Sequence, residues 1–236
     1  MKRIGIEKAL FRLKEAKEAL DILKEVENGL NVPQFRKTWS QYLNATHSVP
    51  EILIRTAKGH EQEFQWLSSV SKNLSRRDPL LRYMKGAREE EFHGIREVAT
   101  PHAEGANPST KYVGYVENAG EIVFRNSDGT ETRTVSGAIE LQGEISSFKF
   151  FYKLQEFENK KFNQHYAIPK THLGRELISQ KPSYFAGKTL WYYQQIYNMC
   201  VNSAKGEKLP QWQSIHQLPQ MKFPFENEYL GLSPES

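Results

Sequence analysis

Four stretches between residues 4 and 93 repeat their apolar side chains every three to four positions, and each is bounded by residues that start or stop helices. A chain with that rhythm must bury four amphipathic stripes against one another, which makes a helical bundle the expected fold of this part. In the first stretch Ile6, Leu10, Leu13, Leu20 and Leu23 share a side, and Asn28-Gly29 closes it. The second begins at Pro33, a residue suited to a first helical turn, and carries Phe35, Trp39, Tyr42, Leu43 and Thr46. Pro50 is expected to kink or interrupt it, because proline lacks a donor and crowds the preceding turn. Ile52, Leu53 and Ala57 then extend it to Lys58-Gly59. The third stretch, from about His60 to Leu74, places Phe64, Leu67, Val70 and Leu74 together. Asp78-Pro79 pairs an N-cap with a proline at the first helical position, so a fourth helix starts there and runs to about His93, before Gly94.

Beyond Gly94 the texture changes. Residues 100–109 read as a loop containing Pro and Gly. Lys111 to Glu117, Glu121 to Arg125, Thr130 to Val135 and Ala138 to Leu141 read as short strands, with a turn at Asn126-Ser127-Asp128-Gly129. A small antiparallel sheet of three or four strands is expected here. Helical texture is expected again over Ser146 to Asn159, on Phe148, Phe151, Tyr152 and Phe157, and Pro169 opens a short segment through His172 and Leu177. A last helix, rich in aromatics, is expected from Ser183 to Ala204, followed by a proline-bearing extended tail. The expected architecture is mainly α: a four- to five-helix bundle with a small antiparallel β insertion. It divides into a helical core over 1–99, a β-containing insertion over 100–165, a helical segment completing the bundle over 166–206, and a tail over 207–236.

Hydrophobic residues make up only 38% of the chain and the mean hydropathy is −0.67, but aromatics at 12% supply the buried area that a globular core needs. Cys200 is the one cysteine, so no internal disulfide is possible, and its aromatic surroundings predict a small core residue. Charges at Glu7, Lys8 and Arg12 follow the basic start of the chain, so no secretory leader of the usual form is expected. No run approaches the roughly 20 apolar residues of a membrane span. The expectation is a cytoplasmic protein that does not enter the membrane.

The net charge of +4 is mild, but it is unevenly placed. Between residues 76 and 88 stand Arg76, Arg77, Arg82, Lys85 and Arg88 against one acid, Asp78. That cluster is either a solvated helix face or a surface that attracts a phosphate backbone. Phosphate-cradle, dinucleotide and zinc signatures are absent from the sequence, and its seven histidines do not pair at metal-ligand spacing. No cofactor and no metal are expected.

On a helix Arg88 shares a face with Leu81, Met84, Phe92 and Ile95, so a permanent charge interrupts an apolar stripe. It needs either a carboxylate from a neighbouring helix or a wet cleft, where its planar fork suits phosphate. His93 lies five residues on, about 140° around an ideal helix. The pair converges only if the helix loosens before Gly94 or if a second copy of the chain completes it. Taken alone, His93 can also be a histidine favoured by the helix C-terminus.

Arg88-x4-His93, on the last helix of a four-helix array, resembles the Arg-x(4 to 6)-His motif of HEPN domains. The surrounding Asp78-Pro79-Leu80-Leu81-Arg82-Tyr83, Ala87-Arg88 and His93-Gly94 are similar to bacterial members of that superfamily, as are Phe35, Trp39, Tyr42-Leu43-Asn44-Ala45 and His47-Ser48-Val49. The resemblance covers residues 4 to 95, with 183–204 as a fifth helix. It implies a homodimer acting as a metal-independent endoribonuclease in stress response, toxin–antitoxin systems or defence, with RNA as substrate and an antitoxin or other protein as partner. Arg88 would stabilise phosphate charge and His93 would act as general base or acid toward a ribose 2′-hydroxyl, giving a 2′,3′-cyclic phosphate. Arg76, Arg77, Arg82 and Lys85 would attract the RNA backbone. Other members of the superfamily are noncatalytic, and the alternative is a helical binding module.

Overall fold

The computed structural model describes residues 2–29, 31–93, 99–105, 111–116, 122–125, 131–134, 137–142, 148–159 and 163–211, with backbone alone for 73–75, 91–93 and 100–150. Five helices pack together: α1 (Arg3–Val26), α2 (Val32–Thr56), α3 (Glu61–Arg77), α4 (Pro79–His93) and α5 (Pro182–Ala204). The second helix is the hub and packs against the other four. Its Phe35, Trp39, Tyr42, Leu43 and Leu53 are buried, as the periodicity predicts, and so is Val49. Asn31 caps it by accepting a hydrogen bond from the Gln34 amide at 3.1 Å. Pro50 does not interrupt α2. Nearby, the Thr46 hydroxyl donates back to the Tyr42 carbonyl at 2.7 Å, the local bonding that short polar side chains offer inside a helix.

Strands occupy the chain between α4 and α5. They are β1 (Ala99–Gly105), β2 (Lys111–Val116), β3 (Ile122–Arg125), β4 (Glu131–Thr134), β5 (Gly137–Gln142), β6 (Phe148–Leu154), β7 (Phe157–Asn159), β8 (Gln164–Tyr166), β9 (Thr171–His172) and β10 (Arg175–Glu176). One sheet has the order β4-β3-β1-β6, with β1 and β3 parallel and its other pairs antiparallel. The pairs β2–β5, β7–β8 and β9–β10 are separate antiparallel ribbons.

Three expectations need correction. Within 146–159 the described residues are extended, not helical: Phe148, Phe150, Tyr152 and Leu154 alternate along β6, and Tyr152 and Leu154 are buried while Phe151 and Lys153 are half-buried. The segment expected as a loop near residue 100 is the partner strand β1, paired from Ala99↔Leu154 to Gly105↔Phe148. The helical segment expected over 166–206 begins only at Pro182; after Pro169 the chain forms the β9–β10 hairpin. Leu173 and Gly174 at its turn both have positive φ, 49° and 74°. Gly94 and the residues after 211 lie outside the described residues. No described helix is long and apolar enough to cross a membrane. Cys200 is buried in α5, and burial pushes its thiol up to about 12.

The last helix has no cap of its own, since Lys181 at its N-cap position makes no side-chain cap bond. The end of α1 supplies one instead. The buried Glu27 carboxylate accepts from the Ser183 amide at 3.0 Å and from the Ser183 hydroxyl at 2.7 Å, and the Glu27 carbonyl accepts from the Tyr152 amide. A carboxylate at a helix N-terminus also suits the helix dipole. Glu27→Ala should therefore cost about 2 kcal/mol in urea unfolding, the scale of a charge-assisted hydrogen bond. Ser183→Ala, which spares the amide bond, should cost about half as much. Equal losses would show that the hydroxyl, not the cap, matters.

Candidate nucleic-acid interface

Only Asp78 separates α3 from α4, so the last turn of one helix is held beside the first turns of the next. Asp78 fixes that corner. One carboxylate oxygen accepts from the Leu81 amide at 2.9 Å and lies 3.0 Å from His172 Nδ1, and the other accepts from the Leu173 amide at 2.6 Å. An ionised carboxylate only accepts, so His172 Nδ1 carries the proton of that bond. Burial alone pushes the Asp78 carboxyl up, but the hydrogen bonds from His172, Leu173 and Leu81 outweigh it and hold the group below its ordinary range.

The corner opens onto a cleft of about 850 Å³. From α3 come Ser68, Ser71, Lys72 and Arg76, which recur at helical spacing and form one polar stripe. Arg82, Lys85 and Glu89 come from α4, Gln164 and Tyr166 from β8, and Ile54 from α2. Tyr166 stacks on Phe157 at 4.8 Å between ring centroids, and the Arg82 guanidinium lies 5.6 Å above the Tyr166 ring. The Arg82 guanidinium also reaches the His165 carbonyl at 3.5 Å.

Three of the four cations expected to meet RNA, Arg76, Arg82 and Lys85, are exposed and line this cleft together. The fourth, Arg77, is exposed at the end of α3 and is not among the lining residues. Lys72 joins them, and the sequence reading missed it. The i, i+4 spacing from Ser68 through Lys72 to Arg76 was the available signal.

Arg88 is half-buried on α4. The helix persists through His93, which sets the two motif positions about 140° apart around its axis. The side chain of His93 lies outside the described residues. His47, half-buried on α2, has Nδ1 3.4 Å from Glu51 Oε1. Burial lowers the His47 pKa, the positive charges of Arg88 and Lys85 lower it further, and Glu51 opposes them. Of the acids after Arg88, Glu89 is half-buried in the cleft wall and Glu90 is buried. Comparisons with protein-family models, with curated proteins and with solved structures find no match for the chain.

Proposed function

We propose that this protein binds RNA along the α3–α4 cleft and acts there as a HEPN-like, metal-independent endoribonuclease, with Arg88 and His93 as the residues of the motif. The observation that supports the reading is the convergence of Lys72, Arg76, Arg82 and Lys85 on one cleft beside Arg88's helix. Cations on rigid helices track phosphates, and two serine hydroxyls among them add neutral hydrogen bonds to phosphate oxygens. In the cleavage step Arg88 stabilises charge on the phosphate, and His93 serves as acid or base. A homodimer, which brings two motifs together, belongs to the same reading.

A second reading is a noncatalytic binding module of the same cleft, favoured by Glu89, whose carboxylate stands among the cations. Fluorescence anisotropy with a single-stranded oligoribonucleotide tests binding. Combined Arg76→Ala, Arg82→Ala and Lys85→Ala should weaken it for all sequences. The slope of log affinity against log salt should also fall by about 2, since each lost contact removes ~0.7. An unchanged slope would place the RNA elsewhere. Cleavage in the presence of a chelator, lost in both Arg88→Ala and His93→Ala, separates the enzyme from the binding module.

A further inference from the structure

Glu89 is the one acid lining the cleft, and its carboxylate has no hydrogen bond or ion pair among the described residues. Lys85 stands one turn before it on α4, the spacing at which a helix pairs opposite charges, yet the two form no ion pair. A carboxylate only accepts hydrogen bonds and repels phosphate, so a ligand must bring it N–H or O–H donors. A complementary group stands close by. Tyr166 lies against Gly86, three residues before Glu89, and the hydroxyl-bearing Cζ is among the ring atoms nearest that glycine. The Tyr166 hydroxyl donates to Gln164 Oε1 at 2.6 Å, which leaves the Gln164 NH2 to donate elsewhere. Gln164 is exposed and lines the same cleft. Burial, and then the negative charge of Glu89, push the Tyr166 hydroxyl up, in keeping with that closeness. An acceptor pair from α4 and a donor from β8 thus flank the Tyr166 hydroxyl.

We propose that Glu89 and Gln164 read the Watson–Crick edge of an unpaired guanine, so that the α3–α4 cleft selects single-stranded RNA bearing that base. This rests on the reading of the cleft as an RNA site. Guanine presents an O6 acceptor, an N1–H donor and an N2 amino donor side by side. The two adjacent donors match the two oxygens of Glu89, and O6 matches the Gln164 NH2. Adenine and cytosine instead bring one amino group beside a bare ring nitrogen, which would face a carboxylate oxygen. Uracil brings one N–H between two carbonyls. The edge is free only where the base is unpaired, which is where proteins read RNA sequence. Lys72, Arg76, Arg82 and Lys85 meet phosphates and carry no sequence information, so the specificity falls to the one acid among them. The cleft, at about 850 Å³, is of the size that encloses a small ligand such as one nucleotide.

The test uses the full chain and short oligouridines that carry one central guanosine, inosine or adenosine, with affinity read by fluorescence anisotropy. Wild type should bind the guanosine oligomer at least about tenfold more tightly than the adenosine oligomer, the low end of what a bidentate base contact discriminates. Inosine, which lacks the N2 amino group, should fall between them. Annealing a complementary strand should abolish the preference, because pairing occupies the same edge. In Glu89→Gln the preference should shrink to within about threefold. The adenosine oligomer should bind that variant more tightly than wild type, since a negative charge has left the cationic cleft. A merely structural role would weaken both oligomers together. Wild type that binds guanosine and adenosine oligomers alike overturns the proposal, while the RNA reading stands. Inosine bound as tightly as guanosine, or a preference that survives in Glu89→Gln, overturns it too. If no oligomer binds, the RNA reading falls, and free GMP against AMP decides the rest. A preference for GMP that Glu89→Gln loses keeps the guanine site, and its absence removes that site as well.

Discussion

Asp78→Ala is expected to lower the unfolding free energy by about 3 kcal/mol, the scale for losing hydrogen bonds to a charged group and leaving buried donors without an acceptor. The carboxylate is almost wholly enclosed and serves three donors at once: the Leu81 amide, the Leu173 amide and His172 Nδ1. Alanine takes the cap from α4 and leaves the Leu173 amide and the His172 imidazole buried beside no acceptor. A loss that size is a large part of the roughly 5–15 kcal/mol that holds a domain folded. Asp78→Asn should recover only part of it, because an amide oxygen can serve one side while its NH2 faces another donor. The pH dependence follows from the direction of the shift. Because the folded carboxyl sits below its ordinary value of about 3.9, its contribution is complete above that value. It is lost as pH falls through the lower, folded value. Wild type should therefore weaken on acidification below about pH 4 more steeply than Asp78→Asn, read as urea midpoints across pH 2–6. Parallel acid limbs would show that other carboxylates carry the decline.

Asp78 also marks what a sequence can disclose. Its capping role was legible, because a cap and the proline after it are local chemistry. Its hold on His172 was not, since that partner lies 94 residues away and only the packed fold joins them. Glu27 is the same case: it reads as an ordinary acid near a helix end, and it caps a helix 156 residues further on. The helices of the bundle were legible because their stripes are long and evenly spaced. The run after residue 146 misled because its aromatics satisfy two periods. Phe148, Phe151 and Tyr152 fit a helix, but Phe148, Phe150, Tyr152 and Leu154 fit a strand better. At the candidate site the cations of α3 and α4 were legible as a cluster, but not that Arg76, Arg82 and Lys85 share a cleft while Arg77 stands outside its lining.

Gly86→Ala should cost about 1–3 kcal/mol, the usual range for overpacking, even though alanine is the better helix former. Gly86 lies in α4 where the β7–β8 ribbon crosses it. A Cβ there would meet the Tyr166 ring, at 2.6 Å from Cζ and 2.7 Å from Cδ1. The ring cannot easily yield, because it is buried, stacks on Phe157, and donates its hydroxyl to the Gln164 side chain at 2.6 Å. Phe157 is in turn edge-on to the buried Tyr83. The ribbon must therefore lift from α4, and the floor under Arg82 moves with it. RNA affinity should fall together with stability, although position 86 carries no charge. The cause can be isolated in a double-mutant cycle, because Tyr166→Ala removes the obstacle. In that background Gly86→Ala should change sign and stabilise by up to about 1 kcal/mol, the helix-propensity gain of alanine over glycine. If Gly86→Ala were equally costly with and without the Tyr166 ring, the close approach of α4 and β8 would not be what demands glycine, and the cleft floor would rest on other contacts.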